Sequence, residues 1–146
     1  HHRVPHYQAT RAAVLGVETV AREETGNYGI VEVREEAGCQ RVVSMVEKPK
    51  PEAAPSTLAV VGRYILPGSI FDKLLEVRPG AGGEIQLTDG IAALLKEHPV
   101  HALPLPGTRY DCGSKLGYLK ASVDYALKHH EVGTAFAHWL RAHPAR

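Results

Sequence analysis

Glu47 and Lys48 emerge together at the end of an apolar run, Arg41 to Glu47 (RVVSMVE), and Pro49 stops the run. Open α/β sheets place ligands at strand ends. A Lys ammonium there is a compact charge with three donors, suited to a phosphate. A Glu carboxylate offers acceptor oxygens suited to sugar hydroxyls. The same residues, Glu47-Lys48-Pro49-Lys50, also fit a charged strand end followed by a turn. Gly29, after Tyr28, stands at a strand start, where the missing Cβ lets a ligand reach the backbone closely; an ordinary strand beginning after Gly26-Asn27 accounts for it as well. Gly62 interrupts Val60-Val61-Gly62-Arg63-Tyr64, and a Gly inside a strand marks a bulge, a close approach or a packing need. Asp111, in Asp111-Cys112-Gly113, lies in a short loop just before a helix. Its oxygens suit a hard cation such as Mg²⁺, which takes one or two carboxylates plus substrate phosphates; a helix cap or a turn aspartate is the other reading. Gly80-Ala81-Gly82-Gly83-Glu84 matches neither G-x-x-x-x-G-K-[ST] nor G-x-G-x-x-G. It reads as a flexible loop, with Glu84 favouring the N-terminus of the helix that follows.

The elements that must position these groups follow from periodicity and breakers. Pro5 to Ala12 reads as the end of a helix. Ala13 to Val20 reads as a strand, and Arg22 to Asn27 as a polar connector with a turn at Gly26-Asn27. Tyr28 to Arg34 alternates as a strand, Glu35 to Gln40 turns, and Arg41 to Glu47 is a third strand. Pro49 biases Lys48 to extended backbone and ends that ladder. Leu58 to Leu66 is nearly continuously apolar, the pattern of a strand buried on both faces. Ser69 with Asp72 resembles a capping box for a helix whose apolar face is Ile70, Phe71, Leu74 and Leu75. Leu87, Ile91, Leu94 and Leu95 give a helix over about Gln86 to Glu97. Val100 to Leu105 is a strand, Pro106-Gly107 a turn and Arg109 to Gly113 extended. Lys115 to His129 is an amphipathic helix with Leu116, Leu119, Val123, Ala126 and Leu127 on one stripe. A last helix, Thr134 to Ala142, carries Phe136, Trp139 and Leu140. Strands first, then helices and strands in alternation, give an α/β or α+β class with a mixed sheet.

Composition sets the outer bounds. The 146 residues fit one domain, long enough to bury about 68–70% of the unfolded surface. Hydrophobic residues at 44% and charged residues at 23% are ordinary for a globular chain and argue against disorder. Seventeen Lys and Arg against sixteen Asp and Glu leave a net charge of +1, so no overall basic field recruits nucleic acid. No stretch approaches 18 consecutive apolar residues, which excludes a membrane span. Cys39 and Cys112 lie far apart, with neither a disulfide nor a zinc spacing, and read as two reduced thiols in a cytoplasmic protein. The nine His include no H-E-x-x-H setting, so no His-based metal site is expected. His1 and His2 resemble remnants of a purification tag and enter no functional argument.

Taken in order, Asn27-Tyr28-Gly29-Ile30-Val31, Val46-Glu47-Lys48-Pro49-Lys50, Ala54 to Tyr64, Gly80 to Asp89 and Tyr110-Asp111-Cys112-Gly113-Ser114-Lys115-Leu116-Gly117-Tyr118 resemble the bacterial UTP–glucose-1-phosphate uridylyltransferases, also called UDP-glucose pyrophosphorylases. The resemblance runs from about Val4 to His143. Tyr-Gly and Glu-Lys-Pro are shared by sugar nucleotidyltransferases in general. Val-Gly-Arg-Tyr, Glu-Ile-Gln-Leu-Thr-Asp and Asp-Cys-Gly-x-Lys-Leu-Gly-Tyr favour the uridylyltransferase over its thymidylyltransferase relative. The resemblance implies an α/β fold, the C-terminal part of a Rossmann-like nucleotidyltransferase with a mixed β-sheet and C-terminal helices. It implies that Gly29 and Gly62 approach the sugar, Glu47 binds glucose hydroxyls, Lys48 binds the phosphate of glucose 1-phosphate, and Asp111 ligates a catalytic Mg²⁺. Lys48 and Asp111 are then the catalytic pair. The ligands are UTP, glucose 1-phosphate and the product UDP-glucose.

The family's triphosphate loop, its uracil-binding strands and a second metal-binding aspartate are not found in this sequence. The expectation is therefore a single domain over 1–146, the sugar-phosphate-binding C-terminal half, with the N-terminal nucleotide half absent and no turnover of UTP by this polypeptide alone. Sheet edges left open by a half sheet would drive homo-oligomerisation, a swapped dimer or pairing with an N-terminal fragment. Two alternatives belong to other classes: a non-catalytic sugar-phosphate-binding or regulatory fragment, and an assembly module acting through Phe136, Trp139 and Leu140.

Overall fold

A computed structural model describes residues 3–80 and 83–144. The possible tag residues His1 and His2, and Ala81-Gly82 of the glycine-rich loop, lie outside the described residues. The chain divides into two compact units, 1–105 and 106–146, taken separately below.

The first unit is a mixed sheet with helices. Its elements are α1 (Arg3–Thr10), β1 (Ala13–Thr19), β2 (Gly29–Glu36), β3 (Cys39–Glu47), β4 (Leu58–Ile65), α2 (Ile70–Glu76), α3 (Leu87–Leu94) and β5 (Val100–Pro104). The strands close in the order β1-β4-β2-β3-β5. All pairs are antiparallel except β1 with β5, which runs parallel from Ala13↔Val100 to Val17↔Pro104. A single pair, Arg41↔His101, completes the ring between β3 and β5. Among the described strands β5 returns beside β1 and joins β3 at that one pair, so the open edge expected of a half sheet is bridged at a single position and not laddered along its length.

Alternation on β1 explains where the core sits. Ala13, Leu15 and Val17 point to one side and pack with Val31, Val42, Met45, Val60, Val100 and Ala102, under Ile70 of α2 and Ile91 and Leu94 of α3. α1 packs against β1 and β4. Ala37 and Gly38, with φ +51° and +76°, make the tight turn between β2 and β3, the positive-φ geometry that two-residue hairpins favour.

Five local expectations change. β4 is not buried on both faces along its length: Ala59 and Val60 are buried, but Gly62, Arg63 and Tyr64 are exposed. The cause is a bulge, since the β1–β4 register shifts between Leu15 and Val17, opposite Gly62. Gly62 has φ +71° and a Cβ there would meet open space, so backbone conformation, not crowding, requires glycine. Ser69 does not cap α2, because its backbone is already helical (φ −60°, ψ −11°) and its side chain makes no cap bond. Ile70 and Leu74 turn inward, whereas Phe71 and Leu75, one step round the helix, are exposed. The connector Arg22–Asn27 forms a 3₁₀ helix, whose Glu24 carboxylate accepts from the Ala21 N–H at 3.3 Å. Glu84 precedes α3 without capping it: its carbonyl accepts from the Gly80 N–H, and Asp89 is the acid in the first turn.

The second unit is a helix pair, α4 (Lys115–Lys128) and α5 (Gly133–Ala142). Ser114 caps α4, its hydroxyl accepting from the Gly117 N–H at 3.0 Å. The Tyr110 hydroxyl donates to Asp124, tying the preceding segment to α4. The expected apolar stripe of α4 is not buried: Leu116, Leu119 and Leu127 are exposed, and Ala121 is the buried residue of the helix. Two helices alone offer too little surface to cover both apolar faces.

Candidate functional site

The mouth of the β2–β3–β4 sheet and the start of α3 enclose a cavity of about 260 Å³. The hairpin register places Gly29 opposite Glu47, and β4 brings Val60 against Gly29 from the other side. Glu47 is thus presented at the strand end on the residue facing a glycine. Its carboxylate accepts from the Thr88 hydroxyl of α3 at 2.5 Å. Thr88 is buried, so the helix start fixes one carboxylate oxygen while the half-buried side chain faces the cavity. A Cβ on Gly29 would stand 3.1 Å from Glu47 Oε2 and 3.1 Å from Met45 Cε. The glycine therefore leaves space beside the carboxylate that any other residue would fill. Tyr64 completes this wall; although the residue as a whole is open to solvent, partial burial of its phenol against the cavity first, and then the charge of Glu47, push it above its usual range.

Lys48 follows Glu47 and is exposed. Its backbone is left-handed (φ +44°), against the extended geometry that Pro49 favours. The Lys48 N–H donates to the Tyr28 carbonyl at 2.9 Å, which holds the strand end in that sparsely populated conformation. Such backbone strain is common at functional sites.

The structure thus brings Gly29 and Glu47 together at one cavity, with Lys48 next in the chain. Gly62 lies on β4 at the bulge and does not line the cavity, whereas its neighbours Val60 and Tyr64 do. Asp111 belongs to the second unit. There it is exposed, and its Oδ1 accepts from the Gly113 N–H at 3.1 Å while its carbonyl accepts from the Ser114 hydroxyl at 3.0 Å. This is a turn aspartate whose carboxylate reaches solvent. Gly117 lies so close beneath it that a Cβ would overlap the Asp111 carbonyl. Thr88, Tyr64 and Gln86 also line the cavity, and their sequence context assigns them no role.

The "Nucleotidyl transferase" family model matches residues 3–128. A relative named UTP–glucose-1-phosphate uridylyltransferase 2, from Streptococcus pyogenes serotype M3, is 48% identical over 128 residues, 86% of this chain and 43% of the relative. A UTP–glucose-1-phosphate uridylyltransferase from Streptococcus pneumoniae serotype 4 is 45% identical over 136 residues, 92% of this chain and 46% of its own. Among solved structures, a UDP-glucose pyrophosphorylase complexed with UDP-glucose superposes with a TM-score of 0.80 at 43% identity, over 86% of this chain and 48% of that one. The UTP-bound enzyme from Acinetobacter baumannii gives 0.80 at 41% identity, over 94% and 48%. The chain spans about half the length of the curated relatives it matches. Family model, sequence relatives and superposed structures agree, and the chain belongs to the nucleotidyl transferase family.

Proposed function

We propose that the two units, 1–146 together, supply the sugar-phosphate acceptor side of a uridylyl transfer in which UTP and glucose 1-phosphate give UDP-glucose and pyrophosphate. The observation that carries this reading is the Glu47 carboxylate, oriented by Thr88 and left open by Gly29 at a cavity in a chain related to uridylyltransferases. In it, Glu47 accepts hydrogen bonds from glucose hydroxyls and Gly29 lets the sugar reach the backbone. The protonated Tyr64 adds a neutral donor beside it. Lys48, at the exposed strand end, neutralises the phosphate of glucose 1-phosphate. Gly62 keeps the β4 bulge beside the sugar. The phosphate oxygen then forms a bond to the α-phosphorus of UTP as the bond to the pyrophosphate leaving group breaks, a reaction that positioning and charge neutralisation accelerate.

Asp111 offers a hard oxygen donor that fits Mg²⁺. Its carboxylate is exposed, so an ion held there could be completed by substrate phosphates. When bound, Mg²⁺ supplies charge neutralisation at those phosphates. The chain acts in the cytoplasm in this reading, which its two free cysteines suit.

Calorimetry tests this. UDP-glucose and glucose 1-phosphate bind the wild-type chain, and Glu47→Gln weakens both. A thymidine diphosphate sugar that binds more tightly than UDP-glucose would redirect the reading to the thymidylyltransferase relative. A coupled pyrophosphate assay with UTP, glucose 1-phosphate and Mg²⁺ shows no turnover by these residues alone; turnover sensitive to Lys48→Ala would contradict that. A second reading, an assembly module, is favoured by the exposed Leu116, Leu119 and Trp139 of α4 and α5. It gives a homo-oligomer, or association with a nucleotide-binding half, through those helices, and predicts a concentration-dependent mass in light scattering without ligand binding.

A further inference from the structure

Away from the cavity, three side chains remote in sequence meet at the seam where the barrel closes. His6 lies on α1, Cys39 opens β3 and His101 lies in β5. One ring nitrogen of each imidazole and the Cys39 thiol sulfur all lie within 4.8 Å of one another, and all three residues are half-buried. His6 Nε2 and His101 Nδ1 are 2.8 Å apart, with the rings edge to face. That bond needs one ring to donate and the other to accept, so at least one imidazole is neutral with its lone pair turned into the cluster. Burial, then His6 and Arg41, push His101 below its usual range, which keeps it neutral near pH 7. Arg41, the β-ladder partner of His101, would oppose a cation, but Glu36 engages its guanidinium at 2.9 Å.

We propose that His6, Cys39 and His101 bind a borderline-soft divalent transition ion, Zn²⁺ being the best fit, and that the ion staples α1, β3 and β5. Imidazole nitrogen and thiolate sulfur are the donors that tetrahedral Zn²⁺ takes, here three with a fourth position open, whereas Mg²⁺ and Ca²⁺ take oxygen; Cu²⁺ is the other ion that such a donor set suits. Zn–N bonds of about 2.0–2.1 Å and a Zn–S bond of about 2.3 Å place tetrahedral ligand atoms roughly 3.3–3.6 Å apart. The two nitrogens must open slightly from 2.8 Å, and the sulfur must close from at most 4.8 Å. Side-chain rotation supplies both. The Zn–S bond forms as the thiol proton leaves to solvent; the imidazole that donates across the pair exchanges that proton through solvent to its other ring nitrogen, so that His6 Nε2 and His101 Nδ1 both bind the ion through lone pairs. The position has a structural consequence. β5 pairs β1 over five positions but meets β3 at the one pair Arg41↔His101, and the ion would sit at that thinnest seam. This site is independent of the Asp111 oxygen donor and of the acceptor-site reading.

Co²⁺ titration of the full chain, followed by absorption, tests the proposal. The expected result is one ion per chain, with the visible bands of a tetrahedral centre and a thiolate-to-cobalt charge-transfer band, both displaced by Zn²⁺. Cys39→Ser abolishes the charge-transfer band and weakens binding by about a hundredfold or more, since even outer-shell partners are worth about 10–100-fold. Zn²⁺ raises the melting temperature of the wild type but not of this variant. Replacing His1, His2, His129 and His130 by Ala leaves binding unchanged. Cys39→Ser is nearly isosteric at a half-buried site, and a native circular dichroism spectrum keeps the test readable if His101→Gln does not fold. Binding that survives Cys39→Ser, a spectrum without the thiolate band, or loss of the ion with His129 and His130 would each overturn the proposal.

Discussion

Gly29→Ala separates a binding role from a structural one. The added methyl would stand 3.1 Å from both Glu47 Oε2 and Met45 Cε and 3.6 Å from Thr88 Oγ1, so the first two must yield by a few tenths of an ångström. Glu47 is half-buried and Met is the most adaptable of core side chains, so the crowding falls near the lower end of the roughly 1–3 kcal/mol range for overpacking. Replacing Gly by Ala inside a strand returns about 0.5–1 kcal/mol. The two nearly cancel, and the folded state should change by no more than about 1 kcal/mol. Binding suffers more. Glu47 moves off the position that Thr88 sets, and the methyl fills the space beside it. Losing one hydrogen bond to a charged group costs about 1.5–3 kcal/mol, a drop of roughly 10- to 100-fold in affinity. Urea melts report the first quantity and calorimetry with UDP-glucose the second. A variant that binds UDP-glucose like the wild type, or one that loses several kcal/mol of stability, would refute the reasoning.

Three other perturbations follow from named contacts. Thr88→Val removes the hydroxyl that orients Glu47; it should cost about 1 kcal/mol of stability and weaken sugar binding, while Thr88→Ser keeps both, as melts and calorimetry would register. Gly62→Val forces a β-branched residue to φ +71° and should destabilise the fold by about 1–3 kcal/mol in urea melts, with Gly62→Asn milder because Asn tolerates that region. Tyr64 has a folded pKa raised above its usual value of about 10. Its contribution is therefore full below about pH 10 and is lost as pH rises through the higher folded value. Tyr64→Phe should flatten the alkaline limb of a stability–pH profile, and an unchanged limb would contradict this.

What the sequence made legible is local. Gly62 marks a bulge, a close approach or a packing need from sequence, and the β1–β4 register shift selects the bulge; the two strands and the turn of the β2–β3 hairpin are legible, but the register shift between Glu32 and Val33 that sets Gly29 opposite Glu47, and not Val46, is not. Contacts between distant elements were not legible. Thr88 meets Glu47 across 41 residues, and neither helix period nor strand alternation fixes which turn of α3 faces which strand end. The cluster of His6, Cys39 and His101 is not legible in the sequence, because metal motifs are read by local spacing and these three gather only when the barrel closes. Ser69 failed as a cap because capping depends on backbone angles that composition does not set. The stripe on α4 shows that amphipathicity marks a surface fit for burial without supplying the partner that buries it.

Amide chemical-shift mapping of the isotopically labelled chain with UDP-glucose tests the central claim most directly. Perturbations concentrated at Gly29, Glu47, Lys48 and Thr88, and abolished by Glu47→Gln, are the predicted result. Saturating ligand that leaves those amides unmoved, or that shifts only α4 and α5, would contradict the assignment of this cavity as the sugar-binding site.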